Sequence, residues 1–234
     1  MSAIRSTTAR TALLTVPLAL GVLSAVAAPA GAATASAKTA EAATSAGAAT
    51  SAEAATSVGA ASRHGKSLTC RGEGVDPNAR VRYRTQTVIN APLKTIWRLQ
   101  TDVERWPAWQ SPVDTIERLD HGRFRKGSAF RWTTMAPPTP TTPAGTLTIT
   151  STVRQLKHGS CIRWTGPAIG TGLHIDGVHV WNFTKVRGGV LVSTEETHRG
   201  EQVDSNVPLA TEILGQGLKG WLSELKTAAE ARGR

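Results

Sequence analysis

The sequence predicts an α+β fold: a curved seven-stranded antiparallel sheet wrapped on a long C-terminal helix, with two short helices after the first strand. Three observations carry this. The aromatic residues, seven Trp, three Phe and one Tyr, all lie at or after Tyr83. The side chains that dominate core energetics therefore belong to one domain of about 150 residues. Within it, alternating apolar stretches recur with Gly-containing breaks, as in strands joined by hairpins. The last segment, 207–232, repeats Leu214, Leu218, Trp221, Leu225 and Ala228 at helical spacing. A helix with such a stripe must bury it against the sheet.

The chain opens with Arg5 and Arg10, then an uncharged stretch from Ala12 to Ala28, then Ala30-Gly31-Ala32. This is the anatomy of a secretory signal peptide over 1–32. The apolar run is short for a membrane span of about 20 residues, and an uncleaved anchor is the alternative. Residues 33–68 read as a disordered Ala/Thr/Ser-rich linker. Its six-residue repeat runs Glu41–Ala46, Gly47–Ala52 and Glu53–Val58, with too little apolar bulk to offset ordering entropy. Residues 69–80 form an N-terminal arm and 81–234 the folded domain. The expected location is secreted or cell-surface, outside the cytoplasm, without stable membrane insertion after signal cleavage. Cys70 and Cys161 are the two cysteines. In an exported chain they suggest a disulfide, with two unpaired thiols as the alternative.

Val81 to Asn90 alternates as a strand, with Val81, Tyr83, Thr85, Thr87 and Ile89 on one face. Asn90-Ala91-Pro92 starts a helix, with Pro where its missing N–H does no harm. Leu93, Ile96, Trp97 and Gln100 follow its inner side. Asp102 is placed to cap a second short helix, Val103 to Trp106, which Pro107 ends. Strands follow near 113–120, 128–135, 145–157, 160–166, 173–186 and 189–199. Gly127, Gly145, Gly159, Gly166 and Gly188-Gly189 are among the breakers.

The formal net charge is +10, from 27 Lys and Arg against 17 Asp and Glu. The basic residues are dispersed rather than clustered, so nucleic acid is not an expected partner. No long apolar run follows residue 30, which excludes a polytopic membrane protein. Nucleophile-elbow, P-loop, dinucleotide and zinc-protease motifs are absent, and no metal or other cofactor is expected.

Several pieces of the domain fall in a familiar order. They are Ile89-Asn90-Ala91-Pro92 with Ile96-Trp97, Thr101-Asp102, Trp106-Pro107-Ala108-Trp109 and Phe130-Arg131-Trp132. Ile162-Arg163-Trp164-Thr165-Gly166, His179-Val180-Trp181 and Glu195-Glu196 before Gly200 follow. In these the sequence resembles the START/Bet v 1-like (SRPBCC) superfamily, in its polyketide cyclase/dehydrase and lipid-transport branch, over about 83–230. The resemblance implies the helix-grip fold, with an apolar cavity between sheet and helix. The long N-terminus and the Pro-rich insertion at 137–143 depart from the family pattern.

The hairpin at 173–199 permits a geometric inference. If Arg187-Gly188 or Gly188-Gly189 forms its two-residue turn, His179 faces Glu196 or His198, and Trp181 faces Thr194 or Glu196. Alternation puts His179, Trp181 and Phe183 on one face with Val190, Val192, Thr194, Glu196 and His198, and the apolar members mark that face as inner. A carboxylate and two imidazoles thus meet there, as a structural pair, a polar anchor for a ligand, or an acid–base pair. The candidate cavity residues are Trp97, Phe130, Trp132, Trp164, His179, Trp181, Glu196, His198, Leu214, Leu218 and Trp221. Trp106 and Trp109 are expected to close the wide end of the grip, and Cys161 and Arg163 to face outward. Gly215, Gly217 and Gly220 either leave room for a ligand or are tolerated surface positions. Met135 to Gly145, with Pro137, Pro138, Pro140 and Pro143, is either a lid or a solvated loop.

The functional expectation is an exported carrier for a small, largely apolar, lipid- or polyketide-like molecule. Two alternatives stand beside it: a cyclase/dehydrase-like enzyme using Glu196 and His179 for proton transfer, and a cell-surface interaction module without ligand.

Overall fold

The computed structural model describes residues 66–232; the expected signal peptide and most of the linker, with its repeat, lie outside the described residues. Two short strands, β1 (Thr69–Cys70) and β2 (Glu73–Gly74), pair with each other in the N-terminal arm. Strand β3 (Val81–Ile89), helix α1 (Leu93–Thr101) and a 3₁₀ helix (Val103–Ala108) follow. Then come β4 (Ile116–Arg118), β5 (Ala129–Ala136), β6 (Gly145–Lys157), β7 (Cys161–Gly170), β8 (Leu173–Val186) and β9 (Gly189–Arg199). A short helix α2 (Glu201–Ser205) leads into α3 (Val207–Arg232). Strands β3 to β9 form one antiparallel sheet in the order β3-β9-β8-β7-β6-β5-β4. Together with α3 they make the expected seven-stranded helix-grip arrangement. Among the described residues, no helix is long and apolar enough to cross a membrane.

Helix α3 has 26 residues and so runs about 39 Å at 1.5 Å per residue. That length lets it do different things at its two ends. Toward its C-terminus, Trp221, Leu222, Leu225 and Ala229 enter the main core with Ile96, Trp106, Phe130, Trp181 and Val192. Toward its N-terminus, Leu214 and Leu218 join a smaller cluster with Val81, Ile175 and Val203. The helix also reaches the outer edge of the sheet: Lys226 Nζ donates to the Val88 carbonyl (2.8 Å) and the Asn90 amide to Glu230 Oε1 (2.8 Å).

Four local expectations need correction. The stretch 113–120 contributes only three strand residues. Asp120 takes over instead, accepting from Arg118, Ser128 and the Ala129 amide, so the chain turns there rather than continuing the ladder. Strand β7 does not stop at Gly166 but continues to Gly170. A side chain at Gly166 would put its Cβ 1.9 Å from the Thr150 carbonyl, so this glycine permits close approach of β6 rather than ending the strand. Asp102 makes no side-chain cap; its carboxylate pairs with Arg105 at 3.3 Å. The 3₁₀ helix runs through Pro107 to Ala108, because a 3₁₀ turn this short sacrifices few N–H bonds to proline.

On the outer face of the sheet, Cys70 is disulfide-bonded to Cys161 across a separation of 91 residues. Leu68, Cys70, Val75, Cys161 and Val180 form a small apolar cluster beneath the arm. Glu195, 1% exposed, accepts from the Leu68 amide (2.6 Å) and from Arg82 Nε (2.6 Å). Arg163 Nε donates to the Gly74 carbonyl at 2.7 Å. The outward reading of Cys161 and Arg163 matches this placement.

Candidate functional site

Strands β8 and β9 position the polar group that the hairpin argument singled out. Val186 pairs with Gly189, so the turn is Arg187-Gly188, and His179 stands opposite Glu196. This is the first of the two registers considered, and Gly188 in its turn takes φ +87°, a conformation that glycine adopts cheaply. His179 Nδ1 lies 3.3 Å from Glu196 Oε2, and His198 Nε2 lies 3.3 Å from Glu196 Oε1. His179 Nε2 and Thr194 Oγ1 are 2.6 Å apart. Glu196 is therefore bracketed by two imidazoles, one deep and one nearer the surface.

The protonation pattern follows from this geometry. Burial, against the rings of Trp164 and Trp181 at 5.3 and 4.9 Å, pushes His179 down to a pKa of about 4, despite the opposing pull of Glu196. Burial alone would raise the Glu196 carboxyl. The two histidines outweigh it, and Glu196 is held below its ordinary value. At neutral pH the arrangement is a carboxylate beside a neutral His179. A carboxylate only accepts, so the His179 proton belongs on Nδ1 and Nε2 accepts from the Thr194 hydroxyl.

The polar group opens into a cavity of about 450 Å³ between the sheet and the N-terminal half of α3. Trp132, Trp164, Ile149 and Ile175 line it from the sheet, and Leu214, Leu218 and Trp221 from the helix. Of the candidate residues, Trp132, Trp164, His179, Glu196, His198, Leu214, Leu218 and Trp221 meet at its wall. Trp97, Phe130 and Trp181 do not. Trp97 packs edge-on against Phe183, Phe130 against Trp106 and Trp164, and Trp181 against Trp164 and Trp221. Alternation gives the face of a strand residue but not its position along the helix axis, and these three lie on the core side of the aromatic cluster. Trp106 is also relocated: it is fully buried as the hub between Phe130, Trp132, Trp164 and Trp221, not at a wide end.

The glycines on α3 separate. A Cβ at Gly215 would come within 2.6 Å of the Tyr83 ring, so this glycine serves packing. Gly217 lines the cavity, and Gly220 faces open space. The Pro-rich segment stands at the cavity, with Pro137, Thr139, Pro140 and Thr142 in its wall. It is braced by the Thr139 and Thr142 hydroxyls at 2.6 Å. Thr194 was on the correct face in the sequence, but its bond to His179 was not foreseen. Gln110, fully buried and in the cavity wall, sits in an aperiodic stretch that gives no signal. Among the described residues, no three His, Cys, Asp or Glu side chains are arranged to hold a metal ion.

Known proteins of this shape fit the geometry. The solved structure of TTHA0849 from Thermus thermophilus superposes with a TM-score of 0.54 at 15% identity, over 65% of this chain and 99% of that one. A START superfamily protein from Mycobacterium smegmatis gives 0.53 at 13%, over 64% and 98%. The Zhui aromatase/cyclase from Streptomyces sp. R1128 gives 0.50 at 16%, over 65% and 95%. At these identities the likeness is one of fold. Comparison with curated proteins returns no match. Residues 80–230 match the family model described as polyketide cyclase/dehydrase and lipid transport. The chain belongs to this family.

Proposed function

We propose that the chain is an exported binding or carrier protein that holds one small, largely apolar molecule between its sheet and α3. The observation that carries this reading is the cavity of about 450 Å³, walled largely by Trp, Pro and aliphatic side chains, with Glu196 and its two histidines as its one cluster of titratable groups. That size and lining suit a molecule of drug-like dimensions, oriented by few polar contacts. Export is supported by the leader-like start of the sequence and by the Cys70–Cys161 bond, which persists in oxidising compartments.

A cyclase/dehydrase-like activity is the second reading, favoured by the buried Glu196 and His179 in the cavity wall. Proton transfer near neutral pH works best with a base whose pKa is close to 7. Glu196 and His179 are both shifted to lower values, which makes them weak bases and better suited to anchoring. Native mass spectrometry of the purified full-length chain, followed by denaturing extraction, tests the carrier reading. A co-purified apolar molecule supports it. An empty protein that also takes up no environment-sensitive apolar dye overturns it and brings forward an interaction module with a closed core. With a ligand in hand, Glu196→Gln separates carrier from enzyme: a carrier keeps affinity within about tenfold, whereas an enzyme loses rate by about a hundredfold or more.

A further inference from the structure

We propose that the cavity discriminates ligands by their head group: it accepts an apolar body bearing a non-anionic O–H or N–H donor and rejects the corresponding carboxylate. The inference rests on the carrier reading above and adds the class of ligand.

The first observation is the charge of the wall. The chain carries a formal net charge of +10, yet among the described residues no Lys or Arg lines the cavity, and Glu196 is its one carboxylate. The interior thus has the opposite sign to the molecule. The histidines do not reverse this. His179 directs its two nitrogens to Glu196 and Thr194, and His198 turns Nε2 to Glu196. Both imidazoles thus already face Glu196, and among the described residues the wall holds no other side chain that could pair with an anionic head. A second carboxylate a few ångströms from Glu196 would meet like charge in a site where solvent screens poorly.

The second observation is a notch beside the carboxylate. Gly177 on β8 pairs with Gly166 on β7, and both line the cavity. No positive φ demands glycine at 177. A Cβ there would meet only ordinary contacts: 3.4 Å to the Gly166 carbonyl and 3.6 Å to Glu196 Oε1. The missing side chain leaves space directly next to Oε1. A carboxylate has about four acceptor positions, so Oε1 retains capacity beyond its contact with His198. A hydroxyl entering the notch can donate to it in a charge-assisted bond, stronger than one between neutral groups. The aromatic and aliphatic wall takes the apolar body, and the notch reads the head.

Isothermal titration of the full-length chain with naphthalene, 2-naphthol and 2-naphthoate tests this. At about pH 8 the naphthol keeps its proton and the naphthoate is ionised. The expected result is 2-naphthol bound at least about tenfold more tightly than 2-naphthoate. Glu196→Gln should bring that ratio toward unity, chiefly by improving naphthoate binding. Gly177→Ala, which its surroundings accommodate, should reduce the advantage of 2-naphthol over naphthalene by covering Oε1. If the wild-type chain binds naphthoate as tightly as naphthol, the head-group inference is wrong while the carrier reading stands. If none of the three probes binds, the carrier reading fails and this inference with it.

Discussion

His179 is a neutral imidazole held at the edge of an aromatic cluster, and this has a cost in acid. Its pKa falls from 6.5 to about 4 in the fold. In an unfolded chain the ring takes up its proton near 6.5; in the folded chain it does so only near 4. Between these values the unfolded state binds more protons, so stability falls as pH falls. The contribution is fully present above about 6.5 and lost by about pH 4, a total of about 3 kcal/mol. Urea midpoints measured from about pH 7 to pH 4 should therefore drop, and drop less in His179→Asn. A midpoint that is flat, or that rises toward acid, would contradict a neutral His179. Much of this residue's setting was legible beforehand. Alternation alone put His179, Thr194, Glu196 and His198 on one face. It left two registers open because Gly188 belongs to both candidate turns, and the fold adopts the one that pairs Val186 with Gly189. The hydrogen bond from Thr194 to His179 depends on rotamers, and sequence spacing does not report rotamers.

At the scale of elements, α3 carries two glycines with opposite meanings. Gly220 faces open space, so Gly220→Ala should stabilise the chain by up to about 1 kcal/mol through helix propensity alone. Gly215 sits under the Tyr83 ring, and Gly215→Ala should destabilise by about 1–3 kcal/mol, overpacking outweighing propensity. Chemical denaturation of the two variants decides the matter, and equal effects would mean that Tyr83 moves aside freely. From the sequence, these two positions and Gly217 looked alike. The same blindness affected Gly166, read as a breaker although it sits mid-strand where β6 approaches. A glycine in a sequence signals a missing side chain but not which neighbour needs the space. The bounds of β6, β8, β9 and α3 were accessible because periodicity extends along their whole length. That of β4 was not, because the Asp120 carboxylate ends the strand through side-chain hydrogen bonds with Ser128 and the Ala129 amide, which strand periodicity does not report.

For the molecule as a whole, the disulfide fastens an arm that otherwise relies on a small cluster and on Glu195. Replacing Cys70 and Cys161 together by Ser should lower the unfolding free energy by up to about 4–5 kcal/mol on the chain-entropy estimate for a loop of this size. It should also expose residues 66–80 to limited proteolysis while β3 to α3 stay protected. Resistance of the arm in the double variant would assign its attachment to Glu195, Arg82 and the apolar contacts instead. The pairing of the two cysteines could be anticipated because a single pair in a chain read as exported suggests a bridge, and the outward reading of Cys161 was compatible with it. The division of the grip into a packed half and a hollow half could not. It arises from Trp106, whose ring reaches four other aromatic residues.

The reach of α3 past the sheet has another consequence. An antiparallel sheet that does not close has two free borders, where another chain can attach by extending the ladder. Strand β4, with three residues, is too short to serve as a template. Strand β3, with nine, is long enough, and the last turns of α3 guard it by placing Lys226 on the Val88 carbonyl and Glu230 on the Asn90 amide. The helix that walls the cavity with its first half thus occupies, with its second, backbone groups at one end of that border which an added strand would use. A chain clipped before Lys226 would leave that border open and gain a route to fibrils or mispaired dimers.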